Sequence, residues 1–424
     1  MDGMKLVTEC HENSSYSWYK SLTVELNPFV EENRITLIEG IFLTFKDFFF
    51  VENKKKKIFP NWPQQKLESK LRDYFSNWLI VNISDGNKTD PIVPDLEKLS
   101  VENNSSRQLT VDIANAILSS GVSKKDAVDI SKTVCTKLFH AIREDVSRYH
   151  EIVAHTKRNR PWNNTVPRIS KNSCKVTLSF ADVRISKINM DANLLERMKL
   201  LWVANNPFVD ANDPKFGLVV YCLMSRYSAL DRRFLRQGSL KEIFMKDLYD
   251  NFGVEFEMFS SATNSSSSSY CTLFPDLESF FGGKGSFFEF EPEEGFYQSN
   301  PPLVESLMDE SFERVSQWLE SEKPLSFIIL SRPWPENDDE DKYSVRKYMG
   351  TTVLRENNQM TLTIDPSPSQ HIEYVSQPKG GQITKFSFPK ITIAQNEAGR
   401  KKWDFSKGSK YHSLLMKMIK CHTV

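Results

Sequence analysis

The chain has no excess of either charge: 55 Lys and Arg balance 55 Asp and Glu over 424 residues. That excludes a wholly basic nucleic-acid coat, although a neutral protein can still carry local basic patches. Its six cysteines, Cys10, Cys135, Cys174, Cys222, Cys271 and Cys421, contain no CxxC pair. A disulfide scaffold or a structural zinc is therefore not expected. The seven histidines show no metal-ligand spacing, and His150 and His155 do not share a helical face. Long apolar runs are missing too. The most hydrophobic stretch, residues 35–51, is broken by Glu39, Lys46 and Asp47 and cannot span a bilayer. The first fifteen residues lack the basic start and apolar run of a signal peptide. The chain reads as soluble and intracellular, and sequons such as those at Asn82 and Asn163 read as chance matches. There is no solenoid repeat, GxSxG, Walker A loop or HExxH.

What is present is a core-forming composition, 39% apolar with 12% aromatic and 29 Phe, at a length that suits two packed units. The first 60 residues are mixed and aromatic-rich and yield no secure assignment. Lys54 to Lys57 form a four-lysine run, either a solvated loop or an aid to nuclear import. Apolar residues recur at helical spacing over 64–81, through Leu67, Leu71, Tyr74, Phe75, Trp78 and Leu79. Residues 85–107 read as a loop. Helices follow over about 110–120 and from Ser123 onward, where Ser123 and Asp126 form a capping box. Residues 157–172, with two prolines and a basic start at Lys157, Arg158 and Arg160, read as a linker.

Beyond it the texture changes. Residues 175–180, 254–259, 287–290 and 325–331 read as strands, and 194–203 as a helix. Asp213-Pro214 opens a further helix. Ser239 with Glu242 caps another that stops at Gly253, and one more spans about 302–320. Strands alternating with helices indicate a parallel α/β sheet, while 361–364 and 382–393 look hairpin-like. The fold class expected is α/β: a Rossmann-type core at 173–424 with an antiparallel tail, after a mainly helical domain at 1–172.

The segment with the most chemistry is Asn300-Pro301-Pro302-Leu303. It follows the turn-prone residues 295–299 and opens a helix, and ligands of open α/β sheets bind where strands end. The Asn300 side-chain oxygen and the Pro301 carbonyl can both accept hydrogen bonds from an exocyclic amine. Two prolines hold these acceptors in place, Pro302 suits a first helical turn, and the next residue can close over a base. Asn-Pro-Pro is also an ordinary turn and helix-start sequence.

Its neighbourhood adds to this. The chain contains FGLVVYCLMSRYSAL, NFGVEFEMFSSATN, YCTLFPDLESFFGG, GFYQSNPPL and KPLSFIILSRPWPE, in that order. Over residues 176–336 this resembles the phosphorylated-CTD-interacting-factor family, the cap-specific adenosine N6-methyltransferases. The resemblance implies an S-adenosylmethionine-dependent enzyme that methylates N6 of the first transcribed adenosine beside a 7-methylguanosine cap in mRNA. Asn300, Pro301 and Pro302 match the catalytic motif, and Glu305 falls where the family has an acidic residue near the cap nucleotide. The methyl donor is placed against the strand at 256–259, near Ser260, Ser261 and Asn264, with Asn300 facing it. Tyr270, Phe274, Pro275 and Asp276 form another matched block. Asp276 is either a hydrogen-bonding partner of ribose or an amino group, or a helix cap. The resemblance and the lysine run together imply the nucleus.

Two departures stand out. The family motif ends in Phe and this chain has Leu303, which closes a lid without a π-face; stacking is worth about 1–3 kcal/mol. Trp62 and Trp78 are too close together for the two tryptophans of a WW module, which is expected to be lacking, and that puts recruitment to the RNA polymerase II tail in doubt. Arg232, Arg233 and Arg236 are candidates for RNA phosphates, or a solvated helix-end cluster. Lys157, Arg158, Arg160 and Trp162 pair charge with an aromatic, as single-stranded RNA contacts do. Residues 265–269, all serine, read as a flexible loop tip near the proposed donor site and a candidate lid, and 338–341 as an acidic solvated loop. The alternative to an enzyme is a silent relative that binds capped RNA or transcription partners as an adaptor.

Overall fold

Helix α1 (Pro28–Lys56) begins where Asn27 accepts hydrogen bonds from the Phe29 and Val30 amides and Pro28 takes the first helical position. It ends with Lys54, Lys55 and Lys56 in the last turn, favourable beside the helix's negative pole, and with Lys57 left-handed at φ 53°. This computed structural model describes residues 26–86, 90–159, 167–172, 175–180, 187–207, 210, 213–230, 238–331, 349–365, 370–380, 382–387 and 389–422. Helix α1 takes up 29 of the first 60 residues, which the sequence leaves unassigned. It packs against α2 (Gln64–Ser84), α4 (Lys124–Asn159) and α6 (Pro214–Leu230), so apolar residues spread around it and form no single stripe. Helix α3 (Asn104–Ser119) lies against α2 and α4 and starts within the expected loop. Ser123 caps α4 through the Asp126 amide at 3.1 Å, as expected.

A small antiparallel sheet of β1 (Arg168–Asn172), β2 (Lys175–Ser179) and β3 (Ile188–Asp191) follows. The end of the expected linker is thus a strand, because Arg168 to Asn172 pair in register with β2. Helix α5 (Ala192–Asn205), capped by Asp191, and α6 complete this region. One cluster of buried apolar side chains runs from Val30 through Trp78, Leu138, Trp202 and Tyr221 to Leu307. The core is continuous across residue 172.

The main sheet has six strands in the order β6-β5-β7-β8-β12-β9: β5 (Phe256–Glu257), β6 (Ser269–Tyr270), β7 (Gly295–Ser299), β8 (Leu325–Ser331), β9 (Met360–Ile364) and β12 (Lys390–Gln395). The first four in that order are parallel neighbours, and β12 enters antiparallel between β8 and β9. Helices α7 (Glu242–Phe252) and α12 (Lys410–His422) cover one face. Helices α9 (Glu305–Trp318) and α10 (Thr352–Glu356) cover the other. Between them lie α8 (Pro275–Glu278) and α11 (Glu397–Lys402). Strands β4 (Gly238–Leu240), β10 (His371–Ser376) and β11 (Gln382–Ser387) make a third, small sheet.

Four expectations are corrected. Residues 287–290 are not a strand; Phe287–Glu289 is a 3-10 turn capped by Ser286. The strand is Gly295–Ser299, the supposed turn, because pairing on both sides and full burial outweigh the weak strand propensity of Gly, Gln and Ser. Ser239 caps nothing, since it pairs with Val375 in a ladder. Residues 361–364 and 382–393 do not pair as one hairpin: β9 and β12 lie antiparallel at the edge of the main sheet, and β11 makes its antiparallel hairpin with β10 in another.

A chain of buried charges ties the helical part to the sheet part. Arg226 on α6 holds both oxygens of Asp276 on α8, at 2.8 and 2.7 Å, and Glu31 on α1 at 3.1 Å. The same Glu31 oxygen accepts from Arg34 at 2.6 Å, and Arg34 reaches Asp90 at 2.9 Å. Asp90 in turn accepts from the Tyr149 hydroxyl at 2.7 Å and from the Ile92 and Val93 amides at 3.0 Å. Burial alone would raise the Asp90 carboxyl, yet the Arg34 charge and these donors hold it below the usual range.

Removing one member strands the others without water. Arg34→Met is expected to lower the unfolding free energy by about 3–5 kcal/mol. Arg148→Met, on the exposed pair with Glu144, is expected to change it by less than about 1 kcal/mol. Denaturant titration of both variants checks the contrast; equal effects would contradict it.

Candidate functional site

Strand β5 lies in the sheet interior with β6 on one side and β7 on the other. The chain runs from β5 to β6, then crosses to β7. The carboxyl ends of β5 and β7 therefore flank the point where strand order reverses, where open α/β sheets bind ligands. Both expected site segments sit there: residues 258–264 leave β5, and Asn300-Pro301-Pro302-Leu303 leaves β7. The two strand ends are in contact, since the Met258 amide donates to the Gln298 carbonyl at 2.8 Å.

At the β7 end Asn300 and Pro302 are half-buried and Pro301 is buried. The Val304 amide turns back to the Pro302 carbonyl at 2.7 Å, and Val304 is the cap of α9. Pro302 thus precedes the helix and is not in its first turn, a correction that leaves the motif as a free-standing loop. Leu303 projects into solvent at 53% exposure between two anchored neighbours. Glu305 is the first residue of α9 and is half-buried. Next to it the Ser306 hydroxyl donates to Gln108 on α3 at 2.6 Å, so a helix of the N-terminal part braces this loop.

At the β5 end the loop is a dense hydrogen-bonded knot. Asn264 Oδ1 accepts from the Ser261 amide at 2.9 Å, the Ser261 hydroxyl at 2.8 Å and the Ser260 hydroxyl at 3.2 Å. Ser261 and Asn264 are buried, and of the three proposed donor-binding residues Ser260 is the half-exposed one. Arg197 on α5 clamps the loop through the Ala262 carbonyl at 3.1 Å and the Ser265 carbonyl at 2.5 Å. Asp276 is engaged by Arg226 with both oxygens, which leaves its spare lone pairs for any ribose contact. Arg232, Arg233, Arg236, Arg160, Trp162 and residues 338–341 lie outside the described residues; Lys157 and Arg158 end α4.

Two glutamates escape sequence reasoning. Glu257, buried in β5, accepts from the Ser266 and Ser267 amides, each at 2.7 Å, and from the Ser265 hydroxyl at 3.1 Å. The supposed serine lid is thus wound around a carboxyl group. Glu278, fully buried on α8, takes the Ala262 amide at 2.6 Å and the Tyr227 hydroxyl. Burial raises both carboxyls, and Glu278 reaches about 7 despite its hydrogen-bond donors. The sequence signal was slight: VEFEMF reads as an ordinary alternating strand, and Glu278 follows the matched block by two places. Gly282, at φ 102°, completes the corner, where any Cβ would meet the Ser268 carbonyl at 2.2 Å. The thiols of Cys222 and Cys271 are pushed up by burial, so neither is poised as a nucleophile. A cavity of about 430 Å³ opens at the opposite, amino ends of β5 and β6, lined by Glu242, Tyr249, Glu255 and Ser266 to Ser268.

Part of the chain resembles known proteins. Residues 197–362 match the family model described as Phosphorylated CTD interacting factor 1 WW domain. The match supports the family expected. A human protein named mRNA (2'-O-methyladenosine-N(6)-)-methyltransferase is 28% identical over 238 residues, covering 50% of this chain and 34% of the relative. A mouse protein of the same name is 38% identical over 123 residues, 28% of this chain and 17% of the relative. The chain thus matches about a third or less of these relatives' length. One expectation is overturned: the WW module is not lacking, since the family's WW model does match. Trp62 and Trp78 misdirected that search. Trp78 is fully buried in α2 and Trp62 packs at a tilt against Phe59, both far upstream of the matched stretch.

Glu278 gives a pH signature. Its folded value lies above its ordinary 4.5, so its contribution to stability is complete below about 4.5 and is lost as pH rises through about 7. The loss amounts to roughly 3 kcal/mol at 1.36 kcal/mol per unit. The difference between wild type and Glu278→Gln in denaturant titrations at pH 4.5 and 8 should carry that slope. Parallel profiles would show that Glu278 titrates normally.

Proposed function

We propose that this chain is an S-adenosylmethionine-dependent methyltransferase that modifies N6 of the cap-adjacent adenosine of capped mRNA. The observation that carries the proposal is the position of Asn300-Pro301-Pro302-Leu303 at the carboxyl end of β7, beside the β5 loop and inside the matched stretch. A Rossmann-type core suits the strand order, with one late antiparallel strand inserted beside β8. In this reading residues 1–172 supply helical support and 173–424 the catalytic core.

The residues present fit a polar donor. Gln298 Oε1 and Ser299 Oγ, at the end of β7, are buried and find no partner among the described residues. Buried polar atoms seldom stay unpaired, so a ligand or water is wanted there. Ser260, Ser261 and Asn264 would shape the β5 side, with Asp276 behind. When bound, S-adenosylmethionine supplies a methyl group activated on a sulfonium. Asn300 and the Pro301 carbonyl accept the two N–H bonds of the adenine amine, which orients its nitrogen, and catalysis is then largely positioning. Leu303, exposed beside them, closes over the base. Glu305 stands next to the cap nucleotide, and Arg232 and Arg233 meet phosphates. The family description names a phosphorylated CTD, which supports a partner of that kind; in this reading it is the RNA polymerase II tail, and the location is the nucleus.

The adaptor reading has one specific support, the aliphatic Leu303 in place of the family's Phe. Methyl transfer to cap-adenosine, cap-guanosine and uncapped adenosine-start RNA separates the two. An enzyme labels cap-adenosine RNA, loses about a hundredfold or more in Asn300→Ala, and gains about ten- to a hundredfold in Leu303→Phe. No label from wild type on any RNA, with label restored by Leu303→Phe, would identify a silenced binder.

A further inference from the structure

Two consecutive residues of α6 grip α8. Arg226 takes Asp276, and the Tyr227 hydroxyl donates to Glu278. The second Glu278 oxygen accepts from the Ala262 amide at 2.6 Å, at the centre of the loop that follows β5. The Ala262 carbonyl, on the other side of that residue, is held by Arg197 at 3.1 Å. The loop is thus fixed at one point from both directions. Among the described residues Glu278 forms no ion pair. Tyr227 faces it from α6, Tyr270 from β6, and Thr272 from the turn after it. The neighbouring cations are committed elsewhere, Arg226 to Asp276 and Glu31 and Arg197 to loop carbonyls. A fully buried carboxyl group without a counter-charge is costly, and a neutral amide could accept the same hydrogen bond. That a carboxyl stands here points to use of its charge.

We propose that Glu278 is a positioning residue for the methyl donor, holding the 260–264 loop in its binding shape through the Ala262 N–H. The inference rests on the methyltransferase reading. A carboxylate takes an amide hydrogen bond about twice as strongly as a neutral acceptor, and burial brings Glu278 to about 7. The grip on Ala262 therefore tightens as pH rises through neutrality, and a negative charge beneath the loop favours a cationic sulfonium. Folding stability moves the opposite way over this range, because the buried charge is unfavourable to the fold as a whole. A purely structural role would make the two fall together.

The test is binding of S-adenosylmethionine to the full chain by calorimetry from pH 6 to 8, for wild type, Glu278→Gln and Glu278→Ala. Amide hydrogen exchange at residues 260–265 is followed in parallel. The wild-type Kd is expected to fall about fivefold or more across this range, in the range of a single charge-assisted hydrogen bond. Glu278→Gln, which keeps an acceptor for Ala262, should bind with a pH-independent Kd. Glu278→Ala should weaken binding by about tenfold or more and speed exchange at Ala262. Wild-type binding with the same pH slope in Glu278→Gln would overturn the inference and leave the enzyme reading intact. Absence of binding by wild type at every pH would overturn both.

Discussion

Glu31 is the residue on which the arrangement turns. A single carboxylate oxygen, buried to 1% exposure on α1, sits between two guanidinium groups. Arg34 carries the charge alternation outward to Asp90 and Tyr149, and Arg226 carries it inward to Asp276. Replacing such a network with apolar side chains need not weaken a fold, so its presence says little about stability as such. Its value is specification. Hydrophobic side chains tolerate sliding, whereas alternating charges joined by directional hydrogen bonds accept one register of α1 on α6 and of α6 on α8. Because α8 bears Glu278, which holds the Ala262 amide, the register set at α1 reaches the loop at the sheet's switch point.

The N-terminal helices thus do more than cover the sheet. They approach the site twice. One approach runs through the charge chain to the β5 loop, and the other through Gln108 to Ser306, one residue into the helix that follows the Asn-Pro-Pro-Leu segment. Both walls of the proposed cleft are braced from the same helical layer, across a hydrophobic core with no break near residue 172. The members of the site that solvent reaches are the half-buried Ser260 and Asn300 and the exposed Leu303.

Much of this was legible beforehand, for physical reasons that can be traced. The strand at 325–331 is buried at every position and carries Phe327, Ile328 and Ile329 at its centre, so composition and state agree. Helices α2, α5 and α6 carry clear apolar faces or proline starts. Helix α1 escaped because it is enclosed on several sides, which erases the one-sided pattern on which helix recognition depends. Strand β7 escaped because Gly295, Gln298 and Ser299 are poor strand formers held by neighbours on both sides. Asn300 to Leu303 and Ser260 to Asn264 were singled out from resemblance, and they follow the carboxyl ends of the neighbouring strands β7 and β5. Glu257, Glu278 and the Arg226–Asp276 pair could not be read, because a buried charge is written in the sequence like an exposed one and only the partners across the fold distinguish them.

The central claim is that the carboxyl ends of β5 and β7 form one binding site. Photo-cross-linking of labelled S-adenosylmethionine to the intact chain, followed by peptide mapping, tests it most directly. The account predicts label within residues 258–264, 274–278 and 296–304, displaced by excess unlabelled donor. Displaceable label on α7 or around Ser266 to Ser268 alone, at the cavity on the amino side of the sheet, would contradict it.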